Sequence, residues 1–321
     1  MTDVHTGLIA ANSRFLVTGG AGFIGSHLVE RLLELGMRVR VVDDLSTGRR
    51  SNIEPFLRDI EFVEGSLADS AVATRACADC DYVLHQAAIP SVPRSVRDPR
   101  GTHEASTTAT MNVLEGARAA GVRRVIYAAS SSAYGNADVA VKTEGLVPQP
   151  LSPYAAAKLA GEHYLRAWHN VYGLETVSLR YFNVFGPRQD PTSEYSAVIP
   201  RFITAALRGE APVIYGDGTQ SRDFTYVANN VEANLLACVA PLAPGKVMNI
   251  ACGGSYSLLD LVGAISRILG KDIQPRFEPA RVGDVMHSLA GIDLARGVLG
   301  YSPKISFEDG LRHTIDFYRG E

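Results

Sequence analysis

Short apolar runs separated by stretches of helical period fill the first half of the chain. RFLVTGG, RVRVVDD, IEFVEG, DYVLHQAA, RRVIYAAS and TVSLRYFNV read as strands rich in Val and Ile. Between most of them apolar residues recur at helical spacing; Ile24, Leu28 and Leu32 mark one such stripe. Strands alternating with helices predict an α/β fold, a doubly wound parallel sheet covered on both faces. A ligand of such a sheet sits at the carboxyl ends of its strands. After about residue 185 the rhythm changes. GPRQDPTSEYSAVIP and YGDGTQSRDF are long, polar and rich in Gly and Pro, as substrate loops often are. Helical periodicity returns around 257–270 and 306–319.

The first strand runs straight into GGAGFIGSHL, where Gly19, Gly22 and Gly25 are spaced G-x-x-G-x-x-G. Glycines there permit a tight turn and let backbone N–H groups approach a pyrophosphate at a helix N-terminus. The second strand ends in VVDD, with Asp43 18 residues beyond Gly25. An acidic side chain there accepts from a ribose 2′-hydroxyl and repels a 2′-phosphate, which favours NAD over NADP. Arg49 and Arg50 lie close by and pull the other way.

Two further stretches bear chemistry. VIYAASSSAYG places Ser130, Ser131 and Ser132 at the carboxyl end of a strand. LSPYAAAK places Tyr154 and Lys158 four apart, one helical turn, so both share a face. Pro153 suits the first turn of that helix, with Ser152 as its N-cap.

Composition narrows the class. The chain has 321 residues, 46% of them hydrophobic, and a net charge of −3. That balance gives no pull toward nucleic acid or an anionic membrane. The N-terminus lacks a basic start followed by an apolar run, and no apolar stretch is long enough to span a bilayer. Four cysteines in a chain of this size suit a reducing compartment, so the expected location is the cytoplasm. Cys77 and Cys80 form a C-x-x-C, but no second ligand pair follows with metal spacing; they are expected to be ordinary thiols.

GGAGFIGSHL, VVDDLSTG, HQAAIPSVPRSVRDP, SSSAYG, SPYAAAK, RYFNVFGPRQDP, GDGTQSRDFTYV and RVGDVMHS together resemble the extended short-chain dehydrogenase/reductases, in the UDP-hexose 4-epimerase group. The resemblance covers nearly the whole chain. It implies a Rossmann-type NAD-binding domain over residues 1–182, to which segments at about 224–252 return. A smaller α/β domain, mainly 183–321, would bind the UDP-sugar. NAD would be held by Gly19, Gly22, Phe23, Ile24 and Gly25, and by Asp43, Asp44, Ser46, Thr47 and Gly48. Ser66 and Leu67, then Gln86, Ala87 and Ala88, then Ser106 and Tyr181 complete the cofactor set with Tyr154 and Lys158. At Ser66 and Ser106 many relatives carry Asp and Asn instead.

The resemblance also implies a mechanism. An unperturbed tyrosine has a pKa of ~10, too high for a base at neutral pH. A neighbouring ammonium and the positive nicotinamide ring both favour the phenolate. Tyr154 would take the proton of the sugar 4′-hydroxyl, Lys158 would hold the nicotinamide ribose, and Ser130 would bond the 4′-oxygen with help from Ser131. A 4-keto sugar would turn over in the site and be reduced on its other face. Asn183 would contact the substrate, Arg222 and Arg281 would clamp the diphosphate, and Asp284 would bind the uridine ribose. Ser132, Gln189, Val198, Val213 and Tyr215 are expected to line the substrate pocket.

Neighbouring activities are weighed against single residues. Nucleotide-sugar 4,6-dehydratases carry an Asp-Glu pair where this chain has Ser131 and Ser132. Uronate epimerases have a threonine and an arginine in place of Asn183 and Asp190, and an aspartate there would repel a uronate. RQDP, YSAVIP and GDVMHS look most like the UDP-N-acetylglucosamine 4-epimerase branch. There Ser288 would be a small gate residue beside the C2 substituent. The alternatives are a UDP-glucose 4-epimerase, then a UDP-glucuronate 4-epimerase; from another class, a non-catalytic NAD-binding sensor. Resemblance further suggests a homodimer through the helix near 103–120 and the helix starting at Tyr154.

Overall fold

A computed structural model describes residues 9–191, 197–280 and 286–320. The early apolar runs form β1 (Arg14–Thr18), β2 (Arg38–Asp43), β3 (Ile60–Glu64), β4 (Tyr82–His85), β5 (Arg124–Ser130) and β6 (Glu175–Tyr181). Four short strands follow, β7 (Val184–Phe185), β8 (Val213–Tyr215), β9 (Ser221–Arg222) and β10 (Thr225–Tyr226). Then come β11 (Val247–Ile250), β12 (Tyr256–Ser257), β13 (Arg276–Glu278) and β14 (His287–Ser288). The helices are α1 (Phe23–Glu34), α2 (Ser70–Cys77), α3 (Val92–Arg97), α4 (Pro99–His103), α5 (Ala109–Ala119) and α6 (Pro153–Tyr172). The later ones are α7 (Val198–Leu207), α8 (Val227–Val239), α9 (Leu258–Leu269), α10 (Asp293–Leu299) and α11 (Phe307–Gly320).

The main sheet has the order β11-β6-β5-β4-β1-β2-β3, every pairing parallel. This is a Rossmann-type fold. The order reverses between β1 and β4, and the crevice outside those strand ends is where such sheets bind ligands. Side chains alternate across the sheet. Phe15 and Val17 enter one apolar layer with Leu28 and Leu32 of α1 and Leu235 of α8. Leu16 enters the opposite layer with Val72 of α2, Val113 of α5 and Leu165 of α6. A third apolar cluster, built on Ile203, Leu261, Phe307 and Leu311, unites α7, α9 and α11 beside the sheet.

The stretch from β10 to β11 crosses back, so that β11 pairs with β6 and α8 packs over the layer that covers α1. Ile292 and Leu299 join that layer too. Among the described residues no helix is long and apolar enough to cross a membrane. Cys77 and Cys80 are both buried and unpaired, and burial pushes their thiols up to about 12 and about 11, which leaves them protonated and unreactive.

Candidate active site

Two adjoining cavities open over the carboxyl ends of the strands. The larger, about 920 Å³, runs from the glycine turn to Tyr154 and Lys158. The smaller, about 260 Å³, continues into the β7–β9 region, and Asn183, Val184 and Ala197 line both.

The glycine turn is a backbone necessity. Gly19 has φ +64°, and a Cβ there would meet the Ala87 nitrogen at 2.8 Å. A Cβ on Gly25 would meet the Gly19 carbonyl at 2.1 Å. Gly22 caps α1 without a side-chain bond, and no acidic residue stands in the first turn. The first-turn N–H groups of α1 are therefore left for an anion.

Asp43, 8% exposed, ends β2. Its two oxygens accept N–H bonds from Ala21 and Leu45, each at 2.9 Å. Burial raises its pKa, and those two bonds oppose the rise. Asp44 turns the following loop by accepting from the Ser46 N–H and hydroxyl. Every residue expected at the cofactor lines the larger cavity except Ser106. That serine is 1% exposed, and Ala105 and Ala109 line the wall instead. A π turn at Glu104–Thr108 lies between α4 and α5 and alters which residues face the cavity.

At the other end, Ser152 caps α6 by accepting the Ala155 N–H at 3.1 Å, and Pro153 occupies its first turn. Tyr154 is half-buried at the cavity wall. Burial raises the phenol, and the nearby Ser130 hydroxyl partly offsets that. Lys158 is 3% exposed; its Nζ donates to the Ala128 carbonyl at 2.8 Å. Burial lowers its pKa to about 7, against the opposing pull of the Glu162 carboxylate. One Lys158 hydrogen thus goes to a backbone carbonyl, and the protein's own groups leave Tyr154 above the ordinary phenol value. The expected lowering of Tyr154 by Lys158 is not carried by these contacts.

Ser130 and Ser131 line the larger cavity; Ser132 stands behind them, its hydroxyl donating to Ser130 Oγ at 2.8 Å. Gln189 also lines it. Val198, Val213, Tyr215 and Arg222 line the smaller cavity. Asn183, at φ +36°, donates its amide to the Asp223 carbonyl at 3.2 Å. Asp223 itself is buried and accepts the Cys252 and Gly253 N–H groups, each at 3.0 Å; burial raises its pKa to about 6. Ser288 lies next to Arg222 through the β14–β9 pairing, is 8% exposed and lines neither cavity. Arg281 and Asp284 lie outside the described residues.

Several lining residues escaped the sequence reading. Arg94 and Arg97 of α3, with Asn52 and Arg188, also face the larger cavity, beside Arg49, which the sequence places near Asp43. Asn112 of α5 donates to the Leu67 and Ala68 carbonyls at 2.9 and 3.0 Å and fixes the loop after β3. Only the run of arginines in PSVPRSVRDPR hinted at a charged wall.

The cavity fits a dinucleotide. A backbone cradle without room for Cβ atoms sits at one end, a buried carboxylate beside it, and a hydroxyl–phenol–amine cluster at the other. Comparison with known proteins agrees. The model of the NAD dependent epimerase/dehydratase family matches residues 15–251. A UDP-glucose 4-epimerase of Mycolicibacterium smegmatis is 38% identical over 313 residues, covering 96% of this chain and 99% of that one. The solved UDP-glucose 4-epimerase of Thermotoga maritima, with UDP-glucose, is 39% identical and superposes with a TM-score of 0.90, covering 96% of this chain and 99% of that one. A UDP-N-acetylglucosamine 4-epimerase of Methanobrevibacter ruminantium, in complex with UDP-N-acetylmuramic acid, is 39% identical with a TM-score of 0.91, covering 97% and 99%.

Proposed function

This chain belongs to the NAD-dependent epimerase/dehydratase family, and we propose that it interconverts UDP-N-acetylglucosamine with UDP-N-acetylgalactosamine and UDP-glucose with UDP-galactose. It is an isomerase, a UDP-sugar 4-epimerase that uses NAD. The observation that carries the reading is the Ser130, Tyr154 and Lys158 cluster at the end of a dinucleotide-shaped cavity, with no carboxylate at positions 131 and 132 to act as a dehydratase acid.

Bound NAD supplies a nicotinamide that takes a hydride and gives it back. The first-turn N–H groups of α1 would hold the pyrophosphate and Asp43 the adenosine ribose, each oxygen keeping a lone pair beyond its backbone bond. Tyr154, as the phenolate that the positive charge of a bound nicotinamide would favour, would take the proton of the 4′-hydroxyl, with Ser130 holding the 4′-oxygen. Once the 4-keto sugar has turned over, Tyr154 would return the proton. Lys158, charged below about pH 7 in the bare site, would hold the nicotinamide ribose. Arg222 in the smaller cavity suits the diphosphate, because a guanidinium fork matches phosphate oxygens. We assign the same diphosphate role to Arg281, the uridine ribose to Asp284 and the C2 gate to Ser288.

In this reading residues 1–182 with 224–252 hold NAD and 183–321 mainly hold the UDP-sugar. The chain would act as a cytoplasmic homodimer through α5 and α6. Met111 on α5 and Val171 and Tyr172 on α6, all exposed, support such a contact.

The test is to give the purified protein UDP-glucose, UDP-N-acetylglucosamine and UDP-glucuronate separately and to look for the C4 epimer by NMR. Epimers from the first two and none from the third are expected. An epimer from UDP-glucose alone would remove the N-acetyl assignment, and none from any sugar would favour a binding protein.

A further inference from the structure

Lys158 needs its charge in the proposed function, yet it is 3% exposed. Burial alone favours the neutral amine, so whatever keeps the ammonium must be found among its neighbours. One is the Ala128 carbonyl. Another is Glu162, one turn further along α6, but that carboxylate is engaged by Arg180 of β6 through two bonds of 2.7 and 2.8 Å. The third is the ring of Tyr127 on β5, whose centroid lies 4.9 Å from Lys158 Nζ.

The remaining titratable neighbours add no positive charge and no negative charge of their own. Tyr154, on the same helix, is held neutral by burial. His85 of β4 lies 5.6 Å from the Tyr127 ring, and its bonds fix it as a neutral imidazole. The Thr18 hydroxyl accepts the Gln86 and Ala87 N–H groups, both at 3.1 Å, so its own hydrogen goes to His85 Nδ1 at 2.7 Å. The Thr110 hydroxyl donates to the Ser106 carbonyl at 2.6 Å, so it accepts from His85 Nε2 at 3.0 Å.

Tyr127 is held in place as a side chain with a duty would be. It is 1% exposed, and its hydroxyl donates to the backbone carbonyl of Lys158 at 3.3 Å. Gly161 makes the room: a Cβ there would meet the Tyr127 hydroxyl at 2.3 Å. We propose that Tyr127 is a positioning residue for the reaction, its ring face seating the Lys158 ammonium and its hydroxyl holding the turn of α6 that carries it. The inference rests on the reading of Lys158 as a catalytic group. A desolvated cation over an aromatic face is held more strongly than one in water, so the effect is measurable.

The experiment replaces Tyr127 with Phe and then with phenylalanines bearing one to three ring fluorines. These keep the shape while draining the negative face of the ring. The NAD-loaded proteins are assayed for kcat against pH, and the 13C-labelled Lys158 side chain is titrated by NMR. A ring that favours the ammonium raises the lysine pKa, so weakening the ring must lower it. Tyr127→Phe should leave the alkaline limb in place. Each added fluorine should move the limb and the NMR titration to lower pH, by about half to one and a half pH units over the series. An unmoved titration across the series overturns the proposal. Lys158→Ala, run alongside, separates the two ideas. If it turns over normally the catalytic reading of Lys158 fails, whereas an inactive Lys158→Ala with an unmoved series refutes the Tyr127 seat alone.

Discussion

Arg49 and Asp190 meet at 2.6 Å at the larger cavity, joining the loop after β2 to the loop after β7. Arg188, two residues earlier, reaches back to Glu30 and to His27 on α1, at 2.5 and 2.6 Å. The loop after β7 is thus anchored from two sides, to the loop after β2 and to α1. The contact also changes one argument from the sequence. Asp190 is charge-matched by Arg49, so the proposed exclusion of a uronate would rest on Asn183 rather than on a bare aspartate.

Arg49→Ala should speed NAD release. Both partners are about half exposed, 48% and 40%, and such pairs contribute roughly 0–1 kcal/mol, about fivefold at most. Stopped-flow exchange at low and high salt checks this; the gap between variant and parent should narrow as salt rises. A release rate equal to the parent's at low salt would mean that the pair does not hold the loop.

Asp43 shapes the loop after β2, and the proposed function gives it the choice of cofactor as well. Asp43→Ala should weaken NAD and relax exclusion of NADP. Because its oxygens also bind Ala21 and Leu45, the variant should lose thermal stability as well, whereas Asp43→Asn should keep more of it. Calorimetric titration with both cofactors reads the first effect and Tm the second. Tighter NADP than NAD in the parent protein would refute the assignment.

His27 predicts an acid sensitivity. Burial, then the Arg188 charge, lower its pKa from 6.5 to about 3. A histidine depressed on folding contributes stability that is full above its unfolded pKa and is lost as pH falls from 6.5 toward 3. At pH 5 the loss is on the order of 2 kcal/mol. His27→Gln keeps a donor for the Pro187 carbonyl and an acceptor for Arg188 but cannot titrate. Urea unfolding at pH 7 and pH 5 should show a smaller drop for this variant. His85, also lowered to about 3, should leave part of the drop in place.

Features imposed by the backbone were readable without coordinates. Gly19 and Gly25 had to be small, and Tyr154 and Lys158 had to share a face once Ser152 and Pro153 started the helix. Features made by distant segments were not. The Arg49–Asp190 pair and the Asn112 bonds join residues far apart in sequence and leave no spacing to read. Ser106 came from resemblance alone, and the π turn that buries it, with Ala105 and Ala109 at the cavity wall, has no signature in residue spacing. Tyr127 looked like one more apolar strand residue, since only the packing of α6 on β5 brings its ring to Lys158.

Ser288→Tyr tests the sugar assignment. A bulky ring beside the C2 substituent should exclude the N-acetyl group and spare the simple hexoses. Overpacking costs roughly 1–3 kcal/mol, about 5- to 150-fold in specificity. Ser288 is nearly buried and its carbonyl accepts the Asp223 N–H at 2.8 Å, so equal loss on both substrate pairs would mark it as structural.

The central claim is that Tyr154 moves the proton while the rest of the site holds NAD and sugar. Turnover of UDP-glucose by NAD-loaded Tyr154→Phe tests it most directly. Loss of the phenol hydroxyl should lower kcat by at least ~10²–10⁴-fold, with NAD content unchanged. A variant that keeps its NAD and turns over near the parent rate would contradict the account.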